Sequence, residues 1–207
     1  MKMKLLRGKI PPGSVFYIPA LGVDKAHGFV LARFIEDVDG NAGALIEVFS
    51  KFYTALPLSF EDSALGQRLF RPILCSMRFS EIPRWRVLYE DPSYNRARSN
   101  YEDIVFEYYS ELWIGGQLRK KNESDFGFSE GANAYEWSTC WRMHHVIFRV
   151  NAYLAGVFSP EEAYDENKLP FSMHVSNPEA VKEVVSLAEE IDELFKAFSG
   201  SVTKKGC

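Results

Sequence analysis

Hydrophobic and polar residues alternate in short runs over the first half of the chain, and this pattern predicts β-strands. Three runs rich in β-branched and aromatic residues come first, at residues 13–19, 26–33 and 44–49, and Gly and Asp turns separate them. Two more runs follow at residues 73–79 and 84–90, with period-two alternation that indicates one buried and one wetter face. Five short strands over about 80 residues predict a small curled antiparallel sheet or an SH3-like barrel.

Strand and helix signals are mixed in the second half of the chain. Residues 104–114 alternate and meet Gly115 and Gly116, which predicts a hairpin. The polar, glycine-containing stretch at residues 120–133 predicts a loop. Residues 135–154 fit either a strand or a helix, and their β-branched and aromatic content favours a strand.

The clearest helix signal lies near the end of the chain. Asn177 is a typical N-cap, Pro178 suits a first helical position, and Gly200 ends the pattern. A capping box at residues 159–162 predicts a shorter helix before it. Apolar residues at helical spacing predict a buried stripe formed by Val181, Val184, Ala188, Ile191, Phe195 and Phe198. The predicted outer face carries the carboxylates of Glu179, Glu183, Glu189, Glu190, Asp192 and Glu193.

A polar segment without apolar periodicity, at residues 92–101, coincides with a change in charge. Residues 1–101 carry 14 Lys and Arg against 10 Asp and Glu, a net of +4, whereas residues 102–198 carry 8 against 18, a net of −10. We therefore predict an α+β protein with an antiparallel β domain at 1–92 and a linker at 93–101. An acidic α+β part at 102–200, closed by the amphipathic helix, and a flexible tail at 201–207 complete the prediction.

The composition excludes several classes of protein. No apolar run of the 207 residues approaches the ~20 that span a bilayer, and Gly8, Pro11 and Pro12 interrupt the basic start before a signal-peptide core could form. The three cysteines are too far apart for a disulfide framework or a zinc box. We expect a cytoplasmic protein in which Cys75 is a small buried hydrophobe.

One group of residues resembles a catalytic constellation. Cys140 precedes His144 and His145, and a cysteine–histidine pair supports nucleophilic catalysis when the two side chains meet. A strand would hold Cys140 and His144 too far apart, whereas a helix would make them neighbours. No nucleophile elbow, phosphate-binding loop or metal-ligand spacing accompanies them. We therefore predict a protein without catalytic residues, metal or cofactor, and keep a hydrolase as the weaker alternative.

Arginine and aromatic residues are interleaved around residues 78–98. Such a strip can neutralise and stack on single-stranded nucleic acid, which makes a nucleic-acid-binding or adaptor module an alternative function. The strand alternation explains the same residues more simply as a solvated face, and the acidic second half disfavours nucleic acid as a partner. The strip comprises Arg78, Arg84, Arg86, Arg96 and Arg98 with Trp85, Tyr89 and Tyr94.

Residues from about 10 to 89 resemble the immunity-protein-26 family of bacterial polymorphic-toxin systems. The resemblance begins with a glycine that leads into Val15-Phe16-Tyr17-Ile18-Pro19 and continues with the Gly28-Phe29-Val30-Leu31-Ala32 strand. Ile46-Glu47-Val48-Phe49 and a late Trp85 before Val87-Leu88 complete it. Residues after 92 lie outside the resemblance.

The resemblance implies an antidote that binds and occludes a toxin in the cytoplasm without catalysis. Toxins of such systems are often nucleases with basic substrate grooves, so an acidic surface is the expected counterpart. The matching residues look like core residues and locate no binding surface. We therefore predict a basic protein toxin as the partner, with the six carboxylates of the last helix as the candidate contacts.

Overall fold

The chain folds as an α+β protein, as predicted. The computed structural model describes residues 3–6, 10–38, 43–58, 60, 65–77, 82–83, 85–120 and 135–202, with side chains described up to residue 198. The sequence also predicts a helical turn capped by Ser59 and a turn at Gly40-Asn41, and both cap and turn lie outside these residues. The predicted loop at 120–133 lies outside them except for residue 120, and so do Arg78, Arg84 and residues 203–207 of the predicted tail.

A curled seven-stranded sheet forms the larger layer of the fold. Its strands have the spatial order β1-β6-β2-β3-β4-β5-β11, and all neighbours are antiparallel except β5 and β11. Strands β2 to β6 confirm the five predicted runs. The strands are β1 (Lys4–Leu5), β2 (Ser14–Leu21), β3 (His27–Val38), β4 (Gly43–Tyr53), β5 (Ile73–Ser76), β6 (Arg86–Glu90) and β11 (Cys140–Arg142).

A smaller four-stranded sheet is built from the middle of the chain. It comprises β7 (Val105–Tyr108), β8 (Glu111–Ile114), β9 (Gln117–Lys120) and β10 (Glu136–Trp137), in the order β10-β7-β8-β9. Gly115 and Gly116, with φ of +52° and +90°, form the turn between β8 and β9. Two consecutive positive φ values suit a tight hairpin, so the predicted hairpin is confirmed.

Two α-helices follow the strands: α1 (Met143–Leu154) and α2 (Pro178–Val202). The predicted N-cap of α2 is confirmed, because the Asn177 Oδ1 accepts a hydrogen bond from the Glu179 backbone N–H at 3.0 Å. The capping box at 159–162 also forms, with the Ser159 N–H donating to the Glu162 carboxylate at 2.7 Å, but it closes a turn. The prediction of a short helix at this position is therefore wrong.

The strand predicted over residues 135–154 is wrong from residue 143 onward, where α1 begins. Only the short strands β10 and β11 precede the helix. The aromatic and β-branched residues that favoured a strand instead fill the core around α1, because this helix is buried around most of its circumference. Its buried side chains are those of Met143, Val146, Ile147, Phe148, Arg149, Val150, Asn151, Ala152 and Tyr153.

Both faces of the large sheet are covered, which explains the unbroken apolar runs of its central strands. One face packs against α1 and α2 in the main core, where Ile46 and Cys75 lie. The other face packs Leu45 and Leu74 against Tyr101 and Phe106. A strand buried on both sides reads as continuous apolar sequence. The buried Cys75 confirms its prediction as a small hydrophobe.

Elements on either side of the predicted 93–101 boundary share one sheet and one core. Strand β11 pairs with β5, and both helices pack on β2. The predicted linker itself contains a 3₁₀-helix at Arg96–Ser99, and the buried Ser99 hydroxyl donates to the buried Glu47 carboxylate at 2.6 Å. Arg33 and Arg68 also donate to Glu47, at 2.7 and 2.8 Å. The Ser99 hydrogen bond fastens the segment to this charged group of the sheet.

None of the helices in the described ranges is long and apolar enough to cross a membrane.

A fragment of residues 1–92 is expected to remain unfolded. It lacks α1, α2 and β11, so one face of the sheet and the free edge of β5 would meet water. Circular dichroism during urea titration of the fragment and the whole chain measures this. A cooperative unfolding transition in the fragment would show instead that residues 1–92 fold independently.

Replacing Phe195 by alanine is expected to lower the free energy of unfolding by about 3–5 kcal/mol. Phe195 is 1% exposed and stacks on Tyr17 with 4.0 Å between ring centroids. Urea denaturation measures the change. Phe198→Ala on the same helix is the matched control, because Phe198 is 46% exposed and its loss should cost less than about 1 kcal/mol.

Candidate functional site

Helix α2, which carries the predicted contact residues, is fixed rigidly to the large sheet. Its Phe195 ring stacks on Tyr17 and meets Phe29 edge-on, with 5.0 Å between the latter centroids. Beside these rings, Arg86 Nε of β6 donates to the Asp192 carboxylate at 2.8 Å. Apolar burial and a charged anchor therefore hold α2 in one orientation.

The prediction that Asp192 lies on the outer face of α2 is wrong. Asp192 is buried at 6% exposure between Arg86 and the Tyr17 hydroxyl, and Lys196 reaches it from the next turn at 2.8 Å. It falls just beside the apolar stripe, where it pairs with Arg86, whose side chain is 13% exposed. Arg86 was predicted to lie on a solvated face. That prediction is also wrong, because Arg86 points toward α2 and pairs with Asp192.

Opposing effects act on the pKa of Asp192. Burial raises it, but hydrogen bonds and charge from Lys196 and Arg86 outweigh burial and hold the pKa below its ordinary value. For Tyr17, burial and then the Asp192 charge raise the pKa well above the usual range. The Tyr17 hydroxyl therefore stays protonated and can donate to the carboxylate.

The five predicted glutamates of α2 do lie outside the core. Glu179 and Glu193 pair with lysines one turn on, Lys182 and Lys196, at 2.8 and 2.6 Å. Glu190 lies 2.6 Å from the His27 ring at the start of β3. Within the described part of the chain, Glu183 and Glu189 form no ion pair. They are the carboxylates of this face with charge left for a partner.

The apolar stripe of α2 ends earlier than predicted. Val184, Ala188, Ile191 and Phe195 are buried, but Phe198 is 46% exposed. Leu194, outside the predicted stripe, is also exposed, at 45%. The outer surface of α2 therefore combines carboxylates with two apolar side chains near its end.

Cys140 and the two histidines share neither a strand nor a helix, the two arrangements that the sequence left open. Cys140 belongs to β11, whereas His144 and His145 lie in the first turn of α1 with 4.3 Å between their ring centroids. Burial raises the pKa of the Cys140 thiol, which opposes the thiolate needed for nucleophilic attack. Among the described residues, no group of three potential ligands could hold a metal ion.

The arginine and aromatic strip is dispersed in the structure. Trp85 is fully buried and stacks on Phe16 at 5.7 Å, so it offers no ring to a base. Arg96 pairs with Glu36, while Arg98 pairs with Asp91 at 2.6 Å. Tyr94 stacks beneath Arg33, 5.1 Å from the guanidinium carbon. The described members of the strip thus form internal contacts in separate places.

A cleft between the two sheets contains residues that, apart from Arg96, the sequence patterns did not single out. Glu36 and Asp37 at the end of β3 line it, together with Arg96, Tyr101 and Trp113. These residues come from three segments that are brought together only by the packing of the small sheet. The conspicuous clue in sequence is the adjacent pair of carboxylates near the end of a largely apolar strand.

No protein-family model matches this chain, and neither a curated protein sequence nor a solved structure matches it significantly. The resemblance to the immunity-protein-26 family therefore stays a prediction.

Removing the charge of Asp192 is expected to destabilise the protein at pH 7 and flatten its acid response. Asp192→Asn should cost about 2–3 kcal/mol, because the largely enclosed Arg86 loses its counter-ion. The Asp192 pKa is depressed on folding, so its contribution is present above its ordinary pKa of 3.8 and is lost as the pH falls below that value.

Urea unfolding between pH 7 and pH 2.5 measures both effects. The wild-type protein should lose stability more steeply below about pH 4 than Asp192→Asn does. Glu193→Gln, at the neighbouring exposed position, is the control and should retain the wild-type slope. Equal slopes for Asp192→Asn and the wild type would contradict the assigned role.

Proposed function

We propose that the protein binds a basic protein toxin and occludes it without catalysis, as an immunity protein does. The observation that carries the proposal is the outward face of α2, where Glu183 and Glu189 are unpaired among the described residues. A buried ion pair and stacked rings fix the backbone beneath them. A rigid acidic surface binds a basic partner with little cost of ordering.

The character of this face also suits protein association. Leu194 and Phe198, near the end of the same helix, are each nearly half exposed. Apolar side chains surrounded by charge supply contact area, while the charges steer the encounter and exclude partners of the wrong sign. A toxin with a basic substrate groove would present the complementary surface, and occupation of the groove would block its substrate.

Co-expression with the product of the adjacent upstream gene tests the proposed function directly. We expect the two proteins to copurify as a complex and growth to be rescued from the toxic product. Neither complex nor rescue would contradict the proposal. A gel shift at about physiological salt should show no nucleic-acid binding, whereas binding would favour the nucleic-acid alternative.

Reversing charge on α2 is expected to weaken this complex, mainly through slower association. The double variant Glu183→Lys, Glu189→Lys should reduce the association rate about tenfold at low salt, with a smaller effect at high salt. Surface plasmon resonance across a salt series measures the rates.

The double variant Glu161→Lys, Glu166→Lys is the matched control, because it changes the net charge equally outside α2. It should bind within about twofold of the wild-type rate. If both double variants slow association equally, net charge and not the α2 face is responsible.

A further inference from the structure

The cleft between the two sheets has fixed aromatic walls. Trp113 of β8 meets the Tyr101 ring edge-on, with 5.9 Å between centroids, and meets the Phe106 ring at 5.4 Å. The turn after β8 packs so closely that a Cβ on Gly116 would lie 2.7 Å from the Tyr101 hydroxyl oxygen. The large sheet contributes Leu74, which is 2% exposed. The cavity has a volume of about 720 Å³, a usual size for a small-molecule site.

Within the part of the chain that the structure describes, the two charged side chains that face this cavity neutralise each other. The Glu36 carboxylate accepts hydrogen bonds from the Arg96 guanidinium and the Tyr101 hydroxyl. Burial raises the pKa of Tyr101 well above its usual range and the bond to Glu36 raises it further, so the hydroxyl remains a donor. Asp37 also borders the cavity, but it pairs with Ala44, so its side chain points to the helix-covered face. The electrostatics of the cleft therefore favour neither a cation nor an anion.

Apolar surface is exposed at the mouth of the cleft. Tyr108 of β7 is 42% exposed and Leu118 of β9 is 53% exposed, and both line the cavity. The register places Leu118 opposite Trp113, and Trp113 opposite Phe106, so these side chains share the face of the small sheet that meets the large one. Apolar side chains that converge on one cavity favour a ligand that covers them.

We propose that the cleft binds a small, uncharged aromatic molecule. Its planar ring would lie against Trp113 and Tyr108, with Leu118 in contact at the mouth. Arg96, whose side chain is 56% exposed, and Gln117 offer hydrogen-bond donors to a polar substituent there. Apolar burial and ring contacts, not charge, supply the affinity. The site lies on the face of the large sheet opposite α2 and is independent of the proposed toxin contacts.

Indole-3-acetamide is the probe for the isolated protein. Heteronuclear NMR titration should shift the indole N–H signal of Trp113, assigned with Trp113→Phe, and nuclear Overhauser effects should connect the probe to the methyl groups of Leu118. We expect a dissociation constant of about 0.1–1 mM, as suits a ligand of this size. Tryptamine and indole-3-acetate, the cationic and anionic counterparts, should bind within about threefold of that value.

A second pair of probes separates aromatic binding from merely apolar binding. Phenylacetamide and cyclohexylacetamide have the same polar group and similar size, but only the first has a planar ring. Phenylacetamide should bind about threefold or more tightly than its saturated counterpart, because only a planar ring can stack on the walls.

Substitutions at the mouth test where the probe binds. Leu118→Ser and Tyr108→Ser, both at exposed positions, should each weaken binding about threefold or more, because each removes apolar contact. Trp137→Ser is the matched control and should leave the affinity unchanged. Trp137 is 57% exposed in the same small sheet, but it pairs with Glu107 and lies on the face opposite Phe106. Urea unfolding checks that each variant is folded.

Several results would overturn the proposal. They are no shift of the Trp113 signal by the probe, a preference above about tenfold for either charged indole, and equal binding of phenylacetamide and cyclohexylacetamide. An equal loss of affinity in Trp137→Ser and Leu118→Ser would contradict the assigned location. Failure of the protein to bind a toxin changes none of these outcomes, because the probes are used without a partner.

Discussion

The guanidinium of Arg149 is completely buried, and its need for a counter-ion constrains the whole arrangement of helices and sheets. It lies in α1 and makes a bidentate pair with Glu136 of β10, with one of the two bonds at 3.1 Å. An unpaired charge in such a place would cost several kcal/mol, so α1 and β10 must be correctly placed together. Aromatic rings at 4.7–5.5 Å surround the cation, from Phe70, Trp141, Tyr153 and Tyr164.

This pair explains how the two sheets are joined. Strand β10 belongs to the small sheet, and after two residues the chain continues as β11 in the large sheet. Helix α1 begins directly after β11 and returns Arg149 to Glu136. One ion pair thus fixes the junction from which the small sheet extends over the large one. The cleft between the sheets is lined by residues of β7 and β8 together with the end of β3.

Local sequence patterns were sufficient for elements with one clear period. The strands β2 to β6 and the cap and stripe of α2 follow from apolar spacing and turn residues. Helix α1 could not be told from a strand in this way, because burial around most of its circumference weakens the amphipathic signal, and even Arg149 and Asn151 are buried. The position of Asp192 depends on a partner, Arg86, more than 100 residues away.

The two candidate sites, the outer face of α2 and the cleft between the sheets, also differ in whether local sequence patterns reveal them. The glutamates of α2 were identifiable because a helical period assigns them to one face, and the neighbouring stripe defines the opposite face. The cleft was not identifiable, because Asp37, Arg96 and Trp113 belong to segments whose proximity is set by pairing between distant strands. Such a site can be recognised only when the order and pairing of the strands are known. The parallel pairing of β5 with β11 is one example, since no local pattern in this chain predicts it.

That parallel pairing governs what can happen while the ribosome makes the protein. Strand β5 ends at Ser76, but the strand that covers its edge begins only at Cys140. More than 60 further residues must therefore be synthesised before the edge is closed, and the peptide groups of β5 meanwhile remain open to pairing with another chain. The nascent chain is thus most exposed to aggregation during the synthesis of the small sheet.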